Sequence, residues 1–514
     1  MASPHGIKLA VHLIATHFGE TVSKVCECLL RKGTLSLVQV IRYAELSEQN
    51  VTNALLTLIQ HNCVQAFTIQ HSGGFGEAPK DVTQYMALHD NIIHHMRFPK
   101  FSAIVSDEYG QECMEIIKEL LEHGRLSLNQ IRDRYMDKHK VDEPSGDNNT
   151  SVNVIHENFN KLAQARYIER CPAHEPFLPS SEIGDVTRTV EERALRTEAS
   201  MESIRFLVEA DTWNNGALDG DNKKNSSTEI VGQKRKQPET EVWATNRNKE
   251  ILWRVNFEEF VRRLRHKSCV SHVTTRMDSV VGIVLNAIFE ATRRDETKVK
   301  MEKTVPLTLE TIYAEATKSQ QGRTLTLERV RASLVQLGCE LPTIRLDETY
   351  GIDLKKFIDQ AQAQEVESIV LKKYGREAYR IFRLLSERER LYDTDKISST
   401  TFVEKKDALK ILFQLWKDDV LHMERIKIDA QKTEILLWKL NKRAICEQTL
   451  DDMYHAALNL RLRLVHELKL AKDSLQLTVG DEVFKTRKQI VDKPKVLESS
   501  LMILDDAIML FSAF

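Results

Sequence analysis

Gly33-Thr34-Leu35-Ser36-Leu37 returns 91 residues later as Gly124-Arg125-Leu126-Ser127-Leu128, and the fold follows from that pair. In each copy the glycine closes one helix in a left-handed conformation. The first leucine then buries on a very short strand, and the serine caps a second helix. Gln39 and Gln130, three residues after the serines, complete two capping boxes. A third copy, Leu307-Thr308-Leu309, keeps the cap and lacks the glutamine. The shared cap chemistry defines an internal repeat of about 90 residues.

Amphipathic helices surround these joints. Val22, Val25, Cys26, Leu29 and Leu30 form the apolar stripe of a helix packed on a core. The spacing recurs from Val51 to Ile59, Cys113 to Leu121, Val281 to Phe289 and Ala408 to Trp416. In the first unit the capped helix (residues 37–43) leads to a third helix (48–62). Strand-like segments 64–70 and 82–88 follow, around the turn Ser72-Gly73-Gly74-Phe75-Gly76. Three helices and a hairpin are the order of a winged helix. The second unit runs through 153–165 into 167–170 without a clear wing. The third has helices near 276–291, 309–316 and 325–337, then 343–346 and 350–353. The fourth has helices 376–388 and 405–417, a short strand near Leu391, and strands 420–428 and 434–440.

The remaining segments differ. Residues 211–240 are polar and poor in large apolar groups, as in a disordered insert. Lys223-Lys224 and Lys234-Arg235-Lys236 within it have a bipartite, import-like spacing. Leu450, Met453, Ala457, Leu460, Leu464, Leu468, Ala471 and Leu475 form a heptad-like seam that Gly480 ends. Ile490, Leu497, Leu501, Leu504, Ile508 and Phe511 return past Pro494, a kink or helix start. Those two seams suggest an antiparallel hairpin with Leu460, Leu464, Leu468, Leu497, Leu501 and Leu504 available for partner docking. The expected class is mainly α with small β hairpins (α+β): four tandem winged-helix domains followed by a C-terminal helical coiled-coil hairpin. The expected boundaries are 1–100, 101–180, an insert at 181–245, 246–355, 356–440 and the coil at 441–514.

Composition narrows the function. At 514 residues the chain has room for about three or four domains. Lys plus Arg is 73 against 75 Asp plus Glu, a formal charge of −2, so bulk charge cannot coat a nucleic acid and any contact needs local patches. No apolar run approaches the ~18 residues of a membrane span. Residues 7–15 are interrupted by Lys8 and His12 and make a poor signal peptide. Cys26, Cys28, Cys63, Cys113, Cys171, Cys269, Cys339 and Cys446 are scattered without zinc-ligand spacing, as in reduced intracellular thiols.

The catalytic motifs are missing as well. The loop from Gly74 to Lys80 only superficially resembles a phosphate loop and suits a wing turn. His89, His94 and His95 have no second ligand group at metal spacing and read as solvated or capping. Asp451-Asp452 and Asp505-Asp506 read as solvated helix faces. No enzyme class and no cofactor is expected.

Nucleic-acid contact depends on which unit is considered. The third helix of the first unit offers Glu48, Gln49, Asn53, Thr57 and Gln60 without Lys or Arg, so this unit reads as a protein-docking module. Arg323, Arg329 and Arg331 flank the last helix of the third unit, and Lys405, Lys406 and Lys410 begin that of the fourth. Arg262, Arg263, Arg265 and Lys267 form a basic ridge near Trp253, Phe257 and Phe260. These residues are the candidates for DNA-backbone contact. The competing reading pairs Lys405 and Lys406 with Glu404 and Asp407, and sets the arginine ridge on an acidic partner.

Several strings resemble the family of the third-largest subunit of eukaryotic RNA polymerase III. They are Trp253-Arg254-Val255-Asn256-Phe257-Glu258-Glu259-Phe260, Val273-Thr274-Thr275-Arg276-Met277-Asp278, the run from Tyr374 to Leu385, the ending from Leu504 to Phe511, and the opening Phe18-Gly19-Glu20. The units also resemble those of the large subunit of general factor E for RNA polymerase II. The resemblance implies a nuclear, non-catalytic polymerase subunit without cofactor. Its implied partners are two smaller subcomplex subunits, the clamp of the largest subunit, a promoter-bound initiation factor and promoter DNA, with no membrane. The implied role is to support promoter binding or opening and initiation at small non-coding RNA genes. The alternative is a winged-helix scaffold that binds only proteins, as in vesicle-sorting or proteasome-lid-type assemblies; a stand-alone repressor ranks below both.

Overall fold

The computed structural model describes residues 3–71, 80–139, 148–171, 205, 251–293, 295, 301–320, 322–339, 349–388, 390–428, 433–477 and 483–514. They divide into two bodies, Ile14–Phe257 and Glu258–Phe514 with Met1–Leu13. The expected insert and its import-like lysines lie outside the described residues, Arg205 apart.

The body Ile14–Phe257 holds two units. The last residues of α1 (Pro4–Phe18) lead into α2 (Glu20–Lys32), β1 (Leu35–Ser36), α3 (Leu37–Ala44), α4 (Glu48–Gln60), β2 (Val64–His71) and β3 (Lys80–Ala87). The sheet order is β1-β3-β2. Ser36 forms the capping box, with its N–H donating to Gln39 Oε1 at 2.9 Å. After α5 (His89–Ile93) and a 3-10 turn (His94–Arg97) come α6 (Phe98–Tyr109), α7 (Gln111–His123), β4 (Leu126–Ser127), α8 (Leu128–His139), α9 (Asn148–Gln164) and β5 (Ile168–Arg170). The second capping box closes in the same way, Ser127 N–H to Gln130 Oε1 at 3.0 Å.

The wing of this second unit is completed by β6 (Leu252–Val255), in the order β4-β6-β5. This corrects the boundary drawn at 246, which gave these residues to the third unit. Glu169 on β5 stands opposite Arg254 on β6, and Arg254 Nε donates to the buried carboxylate at 2.7 Å. Loop-closure cost grows only logarithmically with length, so two wing strands can pair across a long intervening segment. Local pattern reading cannot see such a pair.

The other body carries α10 (Phe257–Arg276), α11 (Ser279–Thr292), β7 (Leu307–Thr308), α12 (Leu309–Lys318), α13 (Leu327–Gln336) and β8 (Thr349–Tyr350). They close around Val284, Leu285, Ile288, Ile312, Val330 and Leu334. The segment 343–346, read as a strand, lies outside the described residues. Then follow α14 (Leu354–Arg388), β9 (Tyr392–Asp393), α15 (Thr394–Thr401), α16 (Lys405–Lys417), β10 (Leu421–Ile428) and β11 (Thr433–Leu440), with sheet order β10-β11-β9. Trp438 is fully buried here and its indole N–H donates to Thr394 Oγ1 at 2.9 Å.

The chain finishes in α17 (Lys442–Leu477) and α18 (Val483–Ser512), which pack on each other. Pro494 lies inside α18 and does not start it. Ile445 and Phe511 join the core of the fourth unit, and Gln362 Nε2 donates to the Leu510 carbonyl at 2.8 Å, so this end of the hairpin docks within the chain. The acidic pairs point apart as helix geometry requires, but one member of each is drawn inward. Asp505 is buried, and Asp451 accepts from the His5 N–H at 2.8 Å, which corrects their reading as solvated.

Two backbone devices repeat. Phe18-Gly19 and Tyr109-Gly110 each join a leading helix to the next, and Tyr374-Gly375 breaks α14 into two helical halves in the same way, with φ of 91°, 88° and 86° near extended ψ. Only glycine enters that region readily. The third helix of every unit also ends alike. Cys63, Tyr167, Cys339 and Val420 donate to the carbonyls of Leu58, Leu162, Leu334 and Leu415 at 2.8–3.1 Å. The preceding residues Asn62, Arg166, Gly338 and Asp419 all have positive φ. This is the Schellman cap, with the apolar residue after it packed back on the helix.

Candidate nucleic-acid interface

The expected basic ridge turns inward. Arg262, Arg263 and Arg265 on α10 are 4%, 8% and 0% exposed. Arg262 Nη1 lies 2.6 Å from Glu259 and Arg263 Nη1 2.7 Å from Glu290, while Arg293 also approaches Glu259 at 3.5 Å. Arg265 Nη1 reaches the Met301 carbonyl at 3.5 Å. Cations one and two residues apart spread around a helix at about 100° per residue, so they cannot share one exposed edge. α10 is buried on several sides, and burial of its arginines demands carboxylates nearby. Among the four residues read as the ridge, Lys267 alone is exposed. The other three are removed from the DNA-facing set.

The third and fourth units keep their cations outside. On α13 the Thr326 hydroxyl caps the helix by accepting from Arg329 N–H at 3.4 Å, which fixes where the arginines emerge. Arg323, Arg329 and Arg331 are exposed, and Arg329 Nη2 lies 3.4 Å from Asp278. Leu327 and Val335 are exposed on the same helix.

On α16 Lys405 pairs with Asp395, and Lys410 with Asp407 at 2.9 Å. The expected alternative partners were Glu404 and Asp407, so only the second acid takes a lysine, and a different one. Hydrogen bonds to these carboxylates raise the pKa of both lysines, which stay protonated. Lys406 and Lys417 make no ion pair among the described residues. Phe413 and Trp416 stand exposed between them, and Phe402 before the helix is 91% exposed. These aromatics escaped the charge-based reading. Their signal is in the apolar stripe from Ala408 to Trp416, whose spacing alone assigns Trp416 to the core.

The first unit is different. The sequence places Gln60 on an outward third-helix face, but its amide donates to the His123 carbonyl at 3.0 Å and to that of Arg125. Arg125 N–H donates to the Gln60 carbonyl at 3.0 Å, and Arg125 Nε to Asn62 Oδ1 at 2.9 Å. The end of α4 is therefore tied to the Gly124-Arg125 joint of the second unit. A Cβ on Gly124 would lie 2.1 Å from the Gln60 carbonyl oxygen, so that approach requires glycine.

His94 and His95 are buried, which corrects their solvated reading, although His95 Nδ1 does sit on the Ile92 carbonyl at 3.1 Å. Their rings pack with His17, Phe18, Phe98, Phe101 and Phe257. Burial, then the neighbouring His17, pulls His95 down to about 4. Burial also pulls His61 to about 4, followed by His123 and His17. Burial pushes the Cys26 thiol up to about 12 and Cys269 and Cys339 to about 11, far from the thiolate a nucleophile needs. Among the described residues no three His, Cys, Asp or Glu side chains gather as a metal site.

On the hairpin Leu501 is buried and Leu460, Leu464, Leu497 and Leu504 are partly covered, leaving Leu468 outward with Leu462, Leu470, Val496 and Ile503. No helix of the described residues is long and apolar enough to cross a membrane.

Comparison with known proteins matches three successive family models. Residues 8–68 match the RNA polymerase III subunit RPC82 helix-turn-helix domain, and residues 157–365 the RNA polymerase III subunit RPC82 model. Residues 366–435 match the POLR3C C-terminal winged-helix domain. Among curated relatives, the human DNA-directed RNA polymerase III subunit RPC3 is 23% identical over 491 residues, covering 91% of this chain and 86% of its own. The Danio rerio protein of that name is 22% identical over 482 residues with the same coverage. The Dictyostelium discoideum counterpart is 21% identical over 628 residues, covering 92% of this chain and 94% of its own.

Proposed function

We propose a non-catalytic role in transcription initiation for this chain, which belongs to the RNA polymerase III subunit RPC82 family. As an RNA polymerase III subunit it is part of the multisubunit enzyme. It works in the nucleus, in a peripheral subcomplex with two smaller subunits near the clamp of the largest one. There it meets a promoter-bound initiation factor and supports promoter binding and opening. Its third and fourth units lie along promoter DNA and hold the phosphate backbone without reading bases. The first unit and the hairpin are docking surfaces for other subunits.

The observation that carries this reading is α16, where Lys406, Lys410 and Lys417 project from the third helix of a winged helix. Lysines so placed release counterions when they meet phosphates, and each contact steepens the salt dependence of binding by about 0.9. Changing Lys406, Lys410 and Lys417 to Glu in the assembled enzyme should flatten the salt slope of promoter retention by about 2, because Asp407 already answers Lys410. The companion set Arg323, Arg329 and Arg331 to Glu should do so less, because Asp278 already answers Arg329. An unchanged slope for both sets would leave the protein-only scaffold. That second reading is favoured by Phe402, Leu327 and Val335, apolar side chains outward on the same two units.

A further inference from the structure

On the third unit a cavity of about 320 Å³ opens between the end of α10 and the start of α14. That volume is at the small end of the ~300–1,000 Å³ range of sites that take a ligand group. Val273, Met277 and Phe357 supply apolar walls, and His272, Arg276 and Gln360 supply polar ones. Arg276 is exposed and makes no ion pair among the described residues. Its guanidinium is instead steadied by the neutral amide of Gln364, whose oxygen, with the amide turned to face it, accepts from Nη2 and Nη1 at 2.7 and 2.8 Å. His272 Nε2 is out of contact with solvent and has no hydrogen-bond partner among the described residues. Burial and the nearby Arg276 lower the His272 pKa, so the ring is a neutral hydrogen-bonding group at neutral pH.

An oriented guanidinium without a counter-charge, beside apolar walls and an unsatisfied ring nitrogen, fits one kind of group. We infer that this cavity receives a carboxylate carried next to a large apolar side chain, presented by a peptide segment of a partner polypeptide. Arg276 would hold the carboxylate in a forked pair, and the apolar side chain would fill the space against Phe357 and Met277. Nucleic acid fits poorly. A phosphate backbone would bring a run of charge to a single guanidinium and leave the apolar walls of Val273, Met277 and Phe357 uncovered. The partner follows from chemistry, whereas its presence in a polymerase assembly rests on the proposed function.

The test uses the full chain in its native assembly with a photoreactive benzoylphenylalanine replacing Met277. Co-purification with the polymerase is checked first, and its failure counts against the proposed function alone. The expected result is a crosslink to another polypeptide, mapped by mass spectrometry to a segment with Asp or Glu within two residues of an aromatic or large aliphatic one. Arg276→Glu in the same chain should cut the crosslink yield about tenfold, while Arg276→Lys retains most of it. Arg276 is exposed, so both variants should melt with the parent, which separates docking from folding. A crosslink to DNA, to this chain itself or to a segment without acid overturns the inference. So does the lack of any crosslink, or a yield that Arg276→Glu leaves unchanged.

Discussion

The first and fourth units share a backbone and differ in what their third helix meets. α4 and α16 both follow a residue in the left-handed region, Glu45 and Phe402, and both end in the same cap with Asn62 or Asp419 at positive φ. α4 carries no Lys or Arg, and its end is bound to the second unit through Gln60. α16 carries Lys405, Lys406, Lys410 and Lys417 with outward Phe413 and Trp416. A handful of apolar and cap positions thus sets the module, while the positions it leaves free decide what it binds.

The comparison breaks most sharply at Gly124. Its φ is 76° and its Cβ site is filled by the Gln60 carbonyl, so Gly124→Ala must bring strain and push the first two units apart. Strain of about 1–3 kcal/mol plus the lost hydrogen bonds should remove about 4 kcal/mol from the stability of this body. Urea unfolding followed at Trp253, buried in the second unit, reads the loss. Among the described residues the fourth unit has no such tie, and Trp438 should report an unchanged midpoint. Equal losses at both tryptophans would mean that the modules unfold as one.

Acid should separate the same regions by a smaller margin. The folded pKa of His95 is about 4 and its ordinary value 6.5, so below pH 6.5 the unfolded chain takes up a proton that the folded chain refuses. The stability is present above pH 6.5 and lost as pH falls toward 4, about 3 kcal/mol for buried His95. His61 acts in the same direction and, being more solvated, by less. Among the described residues the fourth unit buries no histidine. Fluorotryptophan resonances of Trp253 should therefore broaden before those of Trp438 between pH 6.5 and 4.5, and His95→Gln should narrow the gap. Simultaneous loss of the two would remove histidine protonation as the cause.

How much of this was legible follows from what each device needs. Capping boxes use neighbouring residues, so Ser36 with Gln39 and Ser127 with Gln130 could be read directly. The strand Leu252–Val255 could not, because its partner Ile168–Arg170 is remote in sequence and no local rule connects them. The arginine run on α10 is close in sequence but spread around the helix, and direction around the helix sets exposure. The repeated helix ending was hidden because its left-handed position holds Asn, Arg, Gly or Asp. Only the flanking leucine and the buried residue after it keep a type, and four short spacings are hard to separate from ordinary core periodicity.

That ending permits the finest test of the shared backbone. An L-residue at a left-handed position costs about 1–2 kcal/mol relative to glycine, less for Asn and Asp, whose short polar side chains tolerate it. Glycine also gives the unfolded chain more freedom, which returns about 0.5–1 kcal/mol to the other side. Asp419→Gly should then shift the fourth unit by less than about 0.5 kcal/mol, and Asn62→Gly should destabilise the first by about 1 kcal/mol, because Asn62 Oδ1 also accepts from Arg125. Denaturant midpoints at Trp438 and Trp253 measure both. If Asp419→Gly instead destabilised the fourth unit by more than about 1 kcal/mol, its side chain would be holding something that Asn62 does not. The two endings would then share a shape without sharing a cause.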